Sequence, residues 1–324
     1  MSTMTRTFIA ALAVTLAGTA QAFAPSAHDV CDLIPPNAMY FTASAASGID
    51  EKTFNAVLDE VEAFYKPVFK SKGSTLKVER KWKDGTVNAY ATQNGSTWMI
   101  SMFGGLARHT ETTADAFAAV ACHELGHHIG GQPRYDGGTN WASVEGQSDY
   151  YATAKCLRQV FEKGGNWLTE VDRAELRRLA FDPTVDKACA DAFGASSKDG
   201  ETCVRSSAAG LALARLLASL GGSTMPKFET PDANKVKRTD EAHPEAQCRL
   251  DTYFMGAICL ESMNTDFDEK DSKIGACNTP AVGSRPACWY ADPTTTPPEE
   301  EEEEEDDNWP WPWPRDDEEQ EPTH

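Results

Sequence analysis

The chain has 324 residues, 50 acidic side chains against 30 basic ones, and a formal net charge of −20. That balance argues against nucleic-acid binding, because a phosphate backbone is met by clustered Lys and Arg. No run of 18 apolar residues marks a spanning helix, and about 270 residues between a leader and a tail suit one α+β domain.

Met1–Ala22 reads as a secretory signal. Arg6 supplies the positive start, Phe8 to Leu16 a short apolar core, and Ala20-Gln21-Ala22 a cleavage site that leaves Phe23 as the mature N-terminus. No small-residue lipobox precedes Cys31, so the expected product is exported and soluble, periplasmic or extracellular. Asp50–Lys70 predicts an amphipathic helix with Phe54, Val57, Leu58, Val61 and Phe64 on one stripe. Leu76–Trp82, Asp84-Gly85 and Val87–Ala91 predict a hairpin, and Asn94-Gly95 leads into a further strand, Trp98–Met102.

The chemistry concentrates in His123-Glu124-Leu125-Gly126-His127. On a helix, residues four apart share a face, so both imidazoles can reach one cation. Glu124, about 100° round the helix, sits beside that face within reach of a metal-bound water. Thr112 or Thr113 with Asp115 offers the N-terminal cap, and Gly130-Gly131 ends the helix. Two ligands are too few for a metal. Trp141–Ala152 reads as the start of a second helix, in which Glu145 supplies the third ligand. Asp149, four residues on, shares that face and can accept the second ring N–H of His123. Without the preceding motif, Glu145 and Asp149 would read as an ordinary solvated acidic face.

These residues resemble the gluzincin zinc metallopeptidases of the HtpX and CAAX-prenyl-endopeptidase type, specifically their soluble secreted relatives. Three segments carry the resemblance: Val87-Asn88-Ala89-Tyr90-Ala91 with Trp98–Met102 and Gly105-Leu106, the His-Glu-x-x-His helix with Glu145 and Asp149, and His243-Pro244 with Arg249. The resemblance implies a mainly helical zincin-like fold of α+β class, with a small sheet whose edge strand, Trp98–Met102, lines the cleft and accepts a polypeptide substrate. It also implies Zn²⁺ on His123, His127 and Glu145, and His243 over the metal to hydrogen-bond a tetrahedral oxyanion. Arg249 would then hold that junction or the developing charge. Alternatively, His243-Pro244 merely caps a helix and Arg249 pairs with Asp251 or Glu245. His28, His109, His128 and His324 are expected to be solvent-facing or incidental, and Tyr253 is a further candidate oxyanion donor.

Further helices are expected at Trp167–Ala180, Thr184–Phe193 and Val204–Leu220, with stripes that are packing surfaces. No glycine-rich loop follows a strand, so nucleotide chemistry has no phosphate cradle. Nine cysteines fit an oxidising compartment, and an odd count leaves one thiol over. Cys122, inside the metal helix, is the expected unpaired thiol. Cys189 with Cys203 can close a loop. Cys248 and Cys259 lie on one expected helix, Arg249–Met263 continuing from Cys248, too far apart to pair. Each is therefore expected to bond toward Cys277 and Cys288, stapling the C-terminal segment.

Residues 292–324 hold 15 acids and one base, −14 of the total charge. The glutamate run repels itself, and Trp309-Pro310-Trp311-Pro312-Trp313-Pro314 favours an extended polyproline conformation, so a disordered tail is expected. It reads as a solubilising appendage or as an arm for a basic partner. The sequence thus predicts a signal (1–22), a zinc-dependent endopeptidase domain (23–291) in which Glu124 is the general base, and a tail (292–324). The runner-up is a non-catalytic zinc-binding envelope scaffold working through the tail; a zinc amidase of cell-wall peptides shares the same metal logic.

Overall fold

The computed structural model describes residues 30–42, 48–137, 139–179 and 182–293; the expected signal and nearly all of the acidic tail lie outside them. The chain is α+β. Asp50 opens helix α1 (Glu51–Ser71) by accepting from the Thr53 N–H at 2.7 Å, and Phe54, Val57, Leu58, Val61, Tyr65 and Phe69 form its buried stripe. A four-stranded sheet follows, built from β1 (Val30–Asp32), β2 (Thr75–Lys81), β3 (Ala89–Asn94) and β4 (Thr97–Phe103) in the order β1-β3-β4-β2.

Two strand expectations need correcting. β2 and β3 do not form a hairpin: β2 pairs parallel with β4, and the hairpin is β3–β4, turning at Gly95 with φ +57°. The Trp82–Gly85 corner is committed elsewhere, because the buried Arg108 guanidinium gathers the carbonyls of Trp82, Asp84 and Phe41. In consequence Trp98–Met102 is not the sheet edge. It lies inside, and the edges are β2 and β1. β2 carries Lys77, Glu79 and Lys81 as an ion-paired flank, a charge pattern that suits an exposed edge. β1, which no periodicity announced, pairs antiparallel with β3, Cys31 opposite Ala91.

After a short turn α2 (Gly104–Ala107) comes α3 (Ala114–Ile129), buried along its whole length. Thr113 caps it, accepting from the Ala116 N–H at 3.1 Å. Alanines at 114, 116, 118, 119 and 121 let neighbours approach closely from all sides. Next runs a continuous rod: α4 (Glu145–Tyr151), a π-helical segment (Ala152–Cys156) and α5 (Leu157–Lys163). Then come α6 (Glu170–Leu179), α7 (Pro183–Phe193), α8 (Lys198–Gly221) and α9 (Ala246–Ala257). α8 is long and apolar enough to cross a membrane, yet two-thirds of its apolar stretch is buried in the protein, as befits a core helix.

Four cysteine pairs lie at disulfide distance, which fits an oxidising compartment. Cys189–Cys203 closes the expected loop. Cys248–Cys288 and Cys259–Cys277 staple the C-terminal segment to α9 and its end. Cys122 corrects the expectation for the odd thiol: it pairs with Cys156, because the rod through α4 packs along α3 and brings the π-helical segment beside it. The unpaired cysteine is Cys31, buried on β1.

Candidate metal centre

α3 and α4 meet where Gly126 faces Ser148. A Cβ on Gly126 would lie 2.9 Å from the Ser148 Cα, so only glycine lets the two helices come this close. That approach brings Glu145 over the two imidazoles. His123 Nε2 lies 3.1 Å from His127 Nε2 and 3.2 Å from Glu145 Oε2, and His127 Nε2 lies 3.5 Å from Glu145 Oε1. Ligands about 2.0–2.1 Å from a tetrahedral ion lie about 3.3 Å from one another. The spacing therefore fits one metal ion, and the group can hold one.

The orientation of each ring is set from behind. His123 Nδ1 donates to Asp149 Oδ1 at 2.8 Å. His127 Nδ1 lies 2.8 Å from the Ser143 carbonyl and 3.0 Å from Ser148 Oγ. Both contacts leave Nε2 facing the centre, as a ligand histidine requires. Asp149 is in turn held by Arg249, at 2.7 Å from Nε and 2.8 Å from Nη2, and by the Tyr253 hydroxyl at 2.5 Å. Arg249 therefore pairs with Asp149, not with Asp251 or Glu245, and its Nη2 also lies 3.5 Å from His123 Nδ1, the ring nitrogen turned away from the centre. It is a positioning residue. Tyr253 likewise commits its hydroxyl to Asp149, which leaves it unsuited to an oxyanion.

Charge at the centre is finely divided. Burial disfavours charge on His123, but Asp149 and Glu145 outweigh it and raise its pKa to about 9. Burial wins at His127, bringing it down to about 4. Burial also opposes ionisation of Glu145, yet His127, His243 and His123 hold its carboxyl below the usual range. Glu124 is different: burial pushes it well above that range, and neither of its carboxylate oxygens has a hydrogen-bond partner among the described residues. Glu145 Oε2 is likewise buried and without a hydrogen bond among the described residues. Carboxylate oxygens left orphaned beside two oriented imidazoles are what a metal and a polar reactant satisfy.

No known protein family, curated protein or solved structure matches the chain. The centre is therefore argued from its own geometry.

His243 comes to this site from the loop before α9. Its Nε2 donates to the Asp32 carbonyl at 2.7 Å and lies 3.5 Å from Glu145 Oε2. Two expectations for other histidines change. His128 is buried, stacked between Trp98 and Trp141 with Nε2 3.1 Å from the Met99 carbonyl, and burial brings its pKa down to about 3. His109 is buried as well, its ring accepting from the Glu111 N–H. His28 and His324 lie outside the described residues. Sequence reasoning missed Tyr135, whose hydroxyl donates to Glu145 Oε1 at 2.9 Å, and the whole of β1. Tyr135 had no signal beyond its place in the loop between the two metal helices.

Proposed function

We propose that this chain is an exported zinc-dependent endopeptidase of the gluzincin kind, with a zincin-like arrangement of helix pair and sheet. The observation that carries the reading is a buried carboxylate, Glu124, without a hydrogen-bond partner among the described residues, next to two histidines and a glutamate spaced for one ion. His123, His127 and Glu145 would hold the zinc. When bound, that ion supplies Lewis acidity, polarising an acyl oxygen and acidifying a water.

The chain's own groups do the rest. Glu124, its pKa raised by burial, takes a proton from the attacking water and returns it to the leaving amine. Asp149 keeps His123 in its ligand orientation, and Arg249 with Tyr253 keeps Asp149 ionised and fixed. His243 Nε2–H, which donates to the Asp32 carbonyl in this structure, would turn to the developing oxyanion once that carbonyl is displaced. The disulfides, together with the secretory leader read from the sequence, support export.

The test is Glu124→Gln. Zinc content should match the parent chain, while hydrolysis of unfolded casein should fall by about 10²–10⁴-fold, the usual contribution of a positioned base. Hydrolysis at the parental rate would remove Glu124 from this role.

A further inference from the structure

Every group of the centre is covered: His123, Glu124, His127 and Glu145 are 0–1 % exposed. Residues 30–34 form part of the cover, beside Tyr135 on Glu145. Val30–Asp32 lies antiparallel along β3, and the Leu33 N–H extends the ladder to the Ala89 carbonyl at 3.2 Å. Beyond the ladder, three successive main-chain carbonyls are each received by a side chain of the site. Asp32 O accepts from His243 Nε2 at 2.7 Å, Leu33 O from Arg249 Nη1 at 3.0 Å, and Ile34 O from Asn88 Nδ2 at 3.0 Å. Asn88 Oδ1 also accepts the Ile34 N–H at 3.3 Å, so this buried amide imitates a strand neighbour. Past Ile34 the path opens into a groove of about 390 Å³ lined by Pro35, Asn37, Leu217 and His243.

An ordinary edge strand is held by its ladder and its buried side chains. Here the donors also converge on the backbone, which is how a protein grips a peptide whose sequence it does not read. The Asp32 carbonyl in addition meets the imidazole that stands 3.5 Å from the third metal ligand. We infer that residues 30–34 occupy the substrate groove as an intramolecular stand-in, and that the substrate is an extended polypeptide strand which displaces β1 and pairs antiparallel with β3. This rests on the peptidase reading of the same site. A tethered occupant acts at an effective concentration on the order of millimolar, so the intact chain is self-restrained and favours extended, unfolded substrates present in excess.

Cys31 provides a built-in reporter, since it is the one unpaired thiol among the described residues and is buried under β1 pairing. The experiment uses the full exported chain carrying Glu124→Gln, so that binding is read without turnover. The probe is the synthetic octapeptide of residues 30–37 with C31S. Maleimide labelling of Cys31 should be slow in the resting protein and at least ten-fold faster at saturating octapeptide, while amide exchange at Ala91, the residue opposite Cys31, stays protected. Octapeptide binding with no change in Cys31 labelling would overturn the inference, as would failure to bind at millimolar concentration. A second chain lacking residues 23–36 should bind the octapeptide at least ten-fold more tightly, with circular dichroism and melting as the check on its fold. If it does not fold, the labelling of the full chain decides. The two readings separate cleanly. Peptide-driven labelling without metal-dependent hydrolysis by the unsubstituted chain keeps the strand site and rejects the peptidase. Metal-dependent hydrolysis with Cys31 still at its resting labelling rate does the reverse.

Discussion

The two walls of this site are built on different principles. On the helix wall, α3 and α4 present side chains, and each candidate ligand is backed by a further group: His123 by Asp149, itself held by Arg249 and Tyr253, His127 by Ser143 and Ser148, and Glu145 by Tyr135. On the strand wall, β3 and Asn88 present hydrogen-bonding groups to a backbone, while Cys31, Leu33 and Ile34 of that segment are buried. One wall is spaced so that it can hold an ion, and the other receives a main chain. The proposed peptidase would use both.

The comparison breaks most severely at Arg249. Arg249→Met keeps the volume but leaves the Asp149 carboxylate buried without its cation. Removing one partner of a buried pair costs about 3–5 kcal/mol, which a urea titration should show, and zinc binding should fail with it. Parental stability in that variant would mean that Asp149 is held by Tyr253 and His123 alone. Asp149→Asn is milder, since it keeps the shape. Its expected effect is a 10–100-fold loss of zinc affinity in competition with a chelating dye, with a smaller loss of stability than Arg249→Met. Unchanged zinc affinity would leave the His123 orientation to packing. The strand wall should respond in the opposite sense. Asn88→Ala leaves the Ile34 N–H and C=O without their partner, at a cost of about 1–3 kcal/mol, and should speed labelling of Cys31 while leaving zinc affinity as it was. A loss of zinc in Asn88→Ala would show that the walls are one cooperative unit.

The same division explains what could be read from the sequence. His123, His127, Glu145 and Asp149 were legible because helix periodicity fixes which residues share a face, and two spacings of four carry that information. The buried position of Glu124 beside the two imidazoles was legible in the same way. The strand wall was hidden. β1 is three residues long, its pairing is non-local, and Val30-Cys31-Asp32 has no alternation to distinguish it. The misplaced edge has the same cause. Hairpin proximity along the chain favoured pairing β2 with β3, whereas the buried Arg108 redirects the Trp82–Gly85 corner and lets β2 reach β4 in parallel. Cys122 was misread because its partner sits on a rod whose course depends on Gly126, a close contact that spacing does not reveal.

Metal analysis tests the central claim most directly. The purified full chain should carry one zinc per molecule, with X-ray absorption showing two imidazole nitrogens and carboxylate oxygen in the first shell, and His127→Ala and Glu145→Ala should each carry far less. A parent chain without stoichiometric metal, or substituted chains that retain it in full, would contradict the account.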